Sequence, residues 1–239
     1  MSSRRLITSL LLACTLTSVA SAEIVRVPAT RPAPIAPHVA PHFAQPPHQM
    51  HAPQLDDDLY EPPPLTRAAV RDALLEARHR NLDFFRAYQK AGVFPSNVYQ
   101  PNKLNVWRDP DGHFCAAATI IRASGMTEVV DRVAEQNNFI RLADVTQGPL
   151  MDWILTSGFT QDEIAMIQEP FDPVTEPRVE PTQPIVVDAR LRAAENARLR
   201  AKYTQVERTL IKNEKKTIEL AVDRLMKHPD LAWTLASAE

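Results

Sequence analysis

Apolar residues along this chain recur mostly every three or four positions, the spacing that gives a helix one buried face. The first stripe runs through Val70, Leu74, Ala77, Phe85 and Tyr88, with Thr66 placed to cap its start and Gly92 to close it. Further on, Asp109-Pro110-Asp111-Gly112 has the composition of a type I turn, joining short extended pieces over Leu104 to Arg108 and His113 to Cys115. Cys115 to Ser124 predicts a buried helix capped by Gly125, and Thr127 opens another that runs to about Asn137. Pro149 suits the first turn of a helix that carries Leu150, Trp153 and Ile154 and ends at Gly158. Thr160-Gln161-Asp162-Glu163 reads as a capping box, with Phe159 and Ile164 as its hydrophobic staple. Residues 65–172 therefore predict a domain of about five helices with a hairpin-like turn.

A different pattern governs residues 188–228, which are rich in Ala, Leu, Arg, Lys and Glu and stop before Pro229. This is the composition of one long helix. Leu199, Tyr203, Val206 and Leu210 follow a 4-3-4 spacing, and Ile211, Ile218, Val222 and Leu225 trace a neighbouring stripe. Fewer than three clean heptads survive, so the stripe serves either self-association through 188–228 or packing on the helical domain. The whole chain reads as an all-α protein, with residues 229–239 as a C-terminal tail.

Proline marks the boundaries. Residues 23–64 hold 11 of the 21 prolines and show no apolar periodicity, which predicts a disordered, partly polyproline II linker. A second proline-rich stretch from Glu169 to Pro184 contributes a linker over 173–187.

The N-terminus has the pattern of an export signal. Arg4 and Arg5 precede an apolar run from Leu6 to Val19, and Ala20-Ser21-Ala22 supplies the small residues that signal peptidase cuts behind. The expected mature chain starts near Glu23 and is periplasmic or secreted. Leu11-Leu12-Ala13-Cys14 also has the form of a lipoprotein box, in which a cut before Cys14 would anchor the protein to a membrane. Ser3-Arg4-Arg5 echoes a twin-arginine signal, but only half of the apolar pair expected after it is present.

Composition adds bounds. Of the two cysteines, only Cys115 follows Ala22, so the expected mature chain can form no internal disulfide even in an oxidising compartment. The net charge of -2 argues against nucleic acid as a partner. Nine basic residues between Arg190 and Lys216 interleave with Glu195, Glu207 and Glu214, the pattern of a solvated face, with anionic lipid or wall polymer as the other reading.

Three groups of residues bear chemistry. Cys115 at a predicted helix start, with His113 two residues before it, has the beginnings of a thiol hydrolase. No histidine lies between His113 and His228 to complete such a site, and a small buried residue followed by three alanines is the better explanation of Cys115. Asp109 and Asp111 before Gly112 evoke a calcium loop, but its first and twelfth positions would be Trp107 and Ala118, where carboxylates are required. His38, His42, His48 and His51 in the first linker could gather a transition metal weakly. None of these implies a cofactor.

The run from Val106 to Ala118, followed by Ser124-Gly125, Trp153, Ser157-Gly158-Phe159-Thr160 and Ile167-Gln168, resembles uncharacterised exported bacterial proteins. Those share an Asp-x-x-Gly-x-x-Cys-Ala core and a later Trp-x-x-x-Ser-Gly-Leu-Thr stretch. The resemblance covers under a third of the chain, implies one compact helical domain and brings no activity with it. The expectation is a non-enzymatic interaction protein of the cell envelope, with Trp107, Tyr99 and Phe94 as contact residues near the turn.

Overall fold

The computed structural model describes residues 64–176 and 185–237. The segment expected to be an export signal, Cys14, most of the first linker and His38, His42, His48 and His51 lie outside the described residues.

The first helix, α1, spans Arg67–Ala91. Thr66 Oγ1 accepts the Ala69 amide at its start, and Gly92 ends it at φ 65°, where a side chain would be strained. Its buried face carries the expected apolar stripe and, between Ala77 and Leu82, two polar residues, Arg78 and Asn81. The next helices are short: α2 Ala116–Ala123, α3 Thr127–Gln136, α4 Pro149–Thr156 and α5 Gln161–Ile167, with a 3₁₀ turn over Leu142–Asp144. Thr127 is the first residue of α3 and not its cap, which is Met126 without a side-chain hydrogen bond. Both halves of the capping box form at α5, and the staple residues Phe159 and Ile164 are buried.

The long helix, α6, covers Ala189–Leu225 and lies antiparallel to α1. Arg67 pairs with Glu219 and Asp223, Arg71 with Glu219, and Arg86 with Glu207, so rising numbers on one helix meet falling numbers on the other. Its stripe of Leu199, Tyr203, Val206, Leu210, Ile218, Val222 and Leu225 is buried within the same core as α1, α2 and α5. The separation of a 65–172 domain from a 188–228 helix is therefore corrected: both belong to one unit, Leu59–Glu239. The physical reason is that neither stripe can be covered alone, and each covers the other. Self-association through 188–228 is left with Ile211 and Leu220 as the exposed large apolar residues of α6.

Residues 229–239 are corrected as well. Pro229–Ala236 form a seventh helix, α7, with proline in its first turn, packed against α1, α4 and α6. Among the described residues β pairing occurs only as isolated bridges, Arg108 with Phe114, Leu104 with Phe171 and Asn97 with Pro173. The fold is all-α as expected. Among the described residues no helix is long and apolar enough to cross a membrane.

One polar element crosses the core. Arg78, 1% exposed, donates to both carboxylate oxygens of Glu163 and to the carbonyls of Gly158 and Leu210. Glu163 also accepts the Thr160 amide, so the carboxylate that completes the capping box also pairs with the guanidinium, with Glu214 3.7 Å from Arg78 Nε as a second, looser partner. This ties α1, the α4–α5 turn and α6 together at one point.

Candidate functional site

The segment between α1 and α2 gathers the residues that the sequence marks for chemistry, and its geometry begins with Asp109. This side chain is buried, and its Oδ1 accepts the amides of Asp111 and His113. Oδ2 accepts the Ser96 amide and lies 3.2 Å from His113 Nδ1. The expected turn forms, with Gly112 donating to the Asp109 carbonyl and adopting φ 85°. Cys115 N donates to the Trp107 carbonyl and Asp109 N to the His113 carbonyl, which closes the hairpin-like ladder.

Asp109, Asp111 and His113 thus bring three potential ligand atoms within 4.8 Å of one another. The donors already around Asp109 account for its placement, as in an Asx turn. The trio is a structural knot that sets the direction of the chain on either side.

Cys115 caps α2, its sulfur accepting the Ala118 amide at 3.4 Å. A helix start lends thiolate character to an accessible thiol, but for buried Cys115 the reverse holds. Burial pushes the Cys115 thiol up to about 12, against the smaller downward pull of the Ala118 and Ala117 amides. The hydrolase pairing of Cys115 with His113 is corrected on the same grounds. The thiol is 1% exposed, and the recorded partner of His113 Nδ1 is the Asp109 carboxylate.

A measurable consequence follows from burial. In the chain from Glu23 onward, the folded thiol should react with an aromatic disulfide reagent at pH 8 no faster than the protein unfolds. A rapid, stoichiometric reaction would contradict the burial. The thiol's ordinary value is 9.0, so between pH 9.0 and about 12 the unfolded state gives up a proton that the folded state keeps. Stability is unaffected by this group below that window and falls as pH rises through it. Tyr88 and Tyr203, whose buried hydroxyls are also raised by desolvation, act in the same direction.

The three residues expected at a contact surface separate. Phe94 is fully buried and packs its ring 5.4 Å from Tyr88 and 5.5 Å from Tyr203. Trp107 is fully buried too, with its indole N–H donated to the Val130 carbonyl. Both are core residues, and their assignment to the surface is corrected: the chain folds back over them because a large ring gains most by full burial. Tyr99, by contrast, is 40% exposed.

Tyr99 has a partner that the sequence reading missed. Phe139, 42% exposed, meets it edge to face with ring centroids 5.0 Å apart. Buried Asn97 shapes the loop that carries Tyr99, its Nδ2 donating to the Asn102 and Phe171 carbonyls while Oδ1 accepts the Tyr99 amide. Tyr99 Oη then donates to the Arg108 carbonyl. On the other side Asn138 clamps Arg108, Oδ1 accepting its amide and Nδ2 donating to its carbonyl, which places the adjacent Phe139. A lone aromatic after Asn137-Asn138, outside any apolar stripe, was the available signal.

The two rings form a ridge between two grooves. One, of about 560 Å³, is lined by Tyr99, Arg108, Asp109, Asp111 and Asn138. The other, of about 400 Å³, is lined by Leu104, Asn105, Phe139, Arg141 and Pro170. Two basic residues of α6 are engaged within the fold: Arg192 donates to the Phe94 and Pro95 carbonyls, and Arg198 pairs with Glu195 and Glu169. None of the protein families, curated proteins or solved structures compared with the chain matches it.

Proposed function

We propose that this chain is an exported cell-envelope or secreted interaction protein that docks its partner on the Tyr99–Phe139 ridge. The observation that carries this reading is the pair itself: two aromatic rings in mutual contact, each about two-fifths exposed, on backbone fixed where Asn97 accepts the Tyr99 amide and Asn138 accepts the Arg108 amide. Exposed aromatics that are fixed in place lose little entropy on binding and dominate the energetics of interfaces. The clustering of basic residues, small residues and an apolar run in 1–22 supports export. A lipid anchor at Cys14 is the variant of the same reading in which the protein stays on a membrane.

The test is a double substitution, Tyr99→Ala with Phe139→Ala, in the exporting bacterium. The variant should reach the same compartment, keep its helical circular dichroism, and lose at least ten-fold in affinity for the partner identified by crosslinking to the unaltered chain. Unchanged affinity would overturn the docking face. Intact mass of the mature protein reads the cut, before Glu23 or before Cys14; a mature chain that retains residues 1–22 would overturn export.

A further inference from the structure

The groove beside Phe139 has features that specify more than an apolar contact. Its floor is Leu104, Phe139 and Ala165, and two cations, Lys103 and Arg141, stand among its lining residues. Neither cation is tightly engaged: Lys103 Nζ lies 3.7 Å from Asp172, which is itself held at 3.0 Å by Arg198, and Arg141 lies 3.5 Å from Asp144. Asn105, in the same wall, has a buried amide oxygen without a hydrogen-bond partner. A buried acceptor without a donor costs free energy that a donor entering the groove would recover.

The walls are set in advance. Gln168 accepts the Leu142 amide and donates to the Ile140 carbonyl, and Gln161 donates to the Leu142 and Val145 carbonyls. Both amides are spent on holding the loop that carries Phe139 and Arg141, so a ligand meets a shaped groove that offers two loosely paired cations and one unpartnered acceptor.

Resting on the docking reading above, we infer that this groove receives the C-terminus of a partner polypeptide that ends in an apolar residue. A terminal residue offers a carboxylate, a backbone N–H one residue away and a side chain, all within a few ångströms. The carboxylate meets Lys103 and Arg141, the N–H meets Asn105, and the side chain lies on Leu104, Phe139 and Ala165. Charge complementarity selects the free acid, since an amidated end removes the anion that both cations would hold.

The test uses the full chain after export, labelled with ¹⁵N, and hexapeptides of glycine and serine ending in leucine, phenylalanine, valine or alanine. Free-acid peptides should shift the amides of 103–105 and 139–141, and amidation of the same peptides should weaken binding at least tenfold. Lys103→Glu and Arg141→Glu, at sites half or more exposed, should each weaken the free acid with the helical spectrum intact. No shift with any free acid at millimolar concentration, equal binding of acid and amide, or equal binding of an amidated peptide with an internal glutamate would each overturn the assignment. Failure here with the Tyr99 and Phe139 double variant still losing its partner removes the carboxylate reading alone. Failure of both removes the docking face.

Discussion

Replacing Arg78 with methionine is expected to lower the free energy of unfolding by about 3–5 kcal/mol, because it leaves the buried Glu163 carboxylate without its counter-charge. The carbonyls of Gly158 and Leu210 lose their donor at the same time, and a thioether cannot replace it. Chemical denaturation with an unchanged slope should report the loss. Adding Glu163→Gln to Arg78→Met should restore part of it, since the amide removes the stranded charge and can still accept the Thr160 N–H. A loss below about 1 kcal/mol for Arg78→Met, or a double variant weaker than the single one, would show that the pair does not hold α1 to the α4–α5 turn.

The second large effect is expected one contact away. A Cβ on Gly158 would sit 2.2 Å from the Leu74 carbonyl oxygen and 2.6 Å from Arg78 Cβ, on a backbone with φ +78°. The left-handed conformation alone costs a side chain about 1–2 kcal/mol, and displacing α1 adds about 1–3 kcal/mol more. Gly158→Ala should therefore destabilise the fold by about 2–5 kcal/mol and stretch the Arg78–Glu163 pair. Gly112→Ala is the control, with φ +85° and nothing within 4 Å of the added carbon, so it carries the conformational cost alone. Thermal unfolding of the two variants should differ by several degrees; equal losses would mean that the close approach at Gly158 is not needed.

These effects show where the sequence was legible and where it was not. Local signals were read well: Thr66, Gly92, the Asp109 to Gly112 turn and the capping box at Thr160 all depend on residues within a few positions of one another. Long-range pairing was not. Nothing local to Arg78 shows that its partner is Glu163, 85 residues away, or that the α6 stripe would close on α1. Proline-rich spacing at 169–184 looked like a separation of bodies, yet Val174 N bonds the Asn97 carbonyl and Asp188 N the Val174 carbonyl, which stitches the segment's ends to the fold.

The site was half legible for the same reason. Aromatic residues near the turn were rightly singled out, but composition does not say which ring is covered. Trp107 is buried with its indole N–H on the Val130 carbonyl of α3 and Phe94 packs on Tyr203 of α6, whereas Tyr99 lies on a loop whose backbone Asn97 fixes. Its companion Phe139 lies 40 positions further on and comes to it only through the Asn138 clamp on Arg108. The thiol is buried, as a small residue ahead of three alanines suggests; a helix start favours a thiolate only where water or a cation shares the load, and burial denies Cys115 that help.

The most direct measurement is site-specific photocrosslinking in a bacterium that expresses the full chain, with a benzophenone side chain at Phe139 or, as a control of similar exposure, at Ile211 on α6. The docking account predicts a discrete crosslinked partner from position 139 that is absent from position 211 and competed by unlabelled protein. The same adducts from both positions, or none from 139 while the protein is exported and folded, would contradict it.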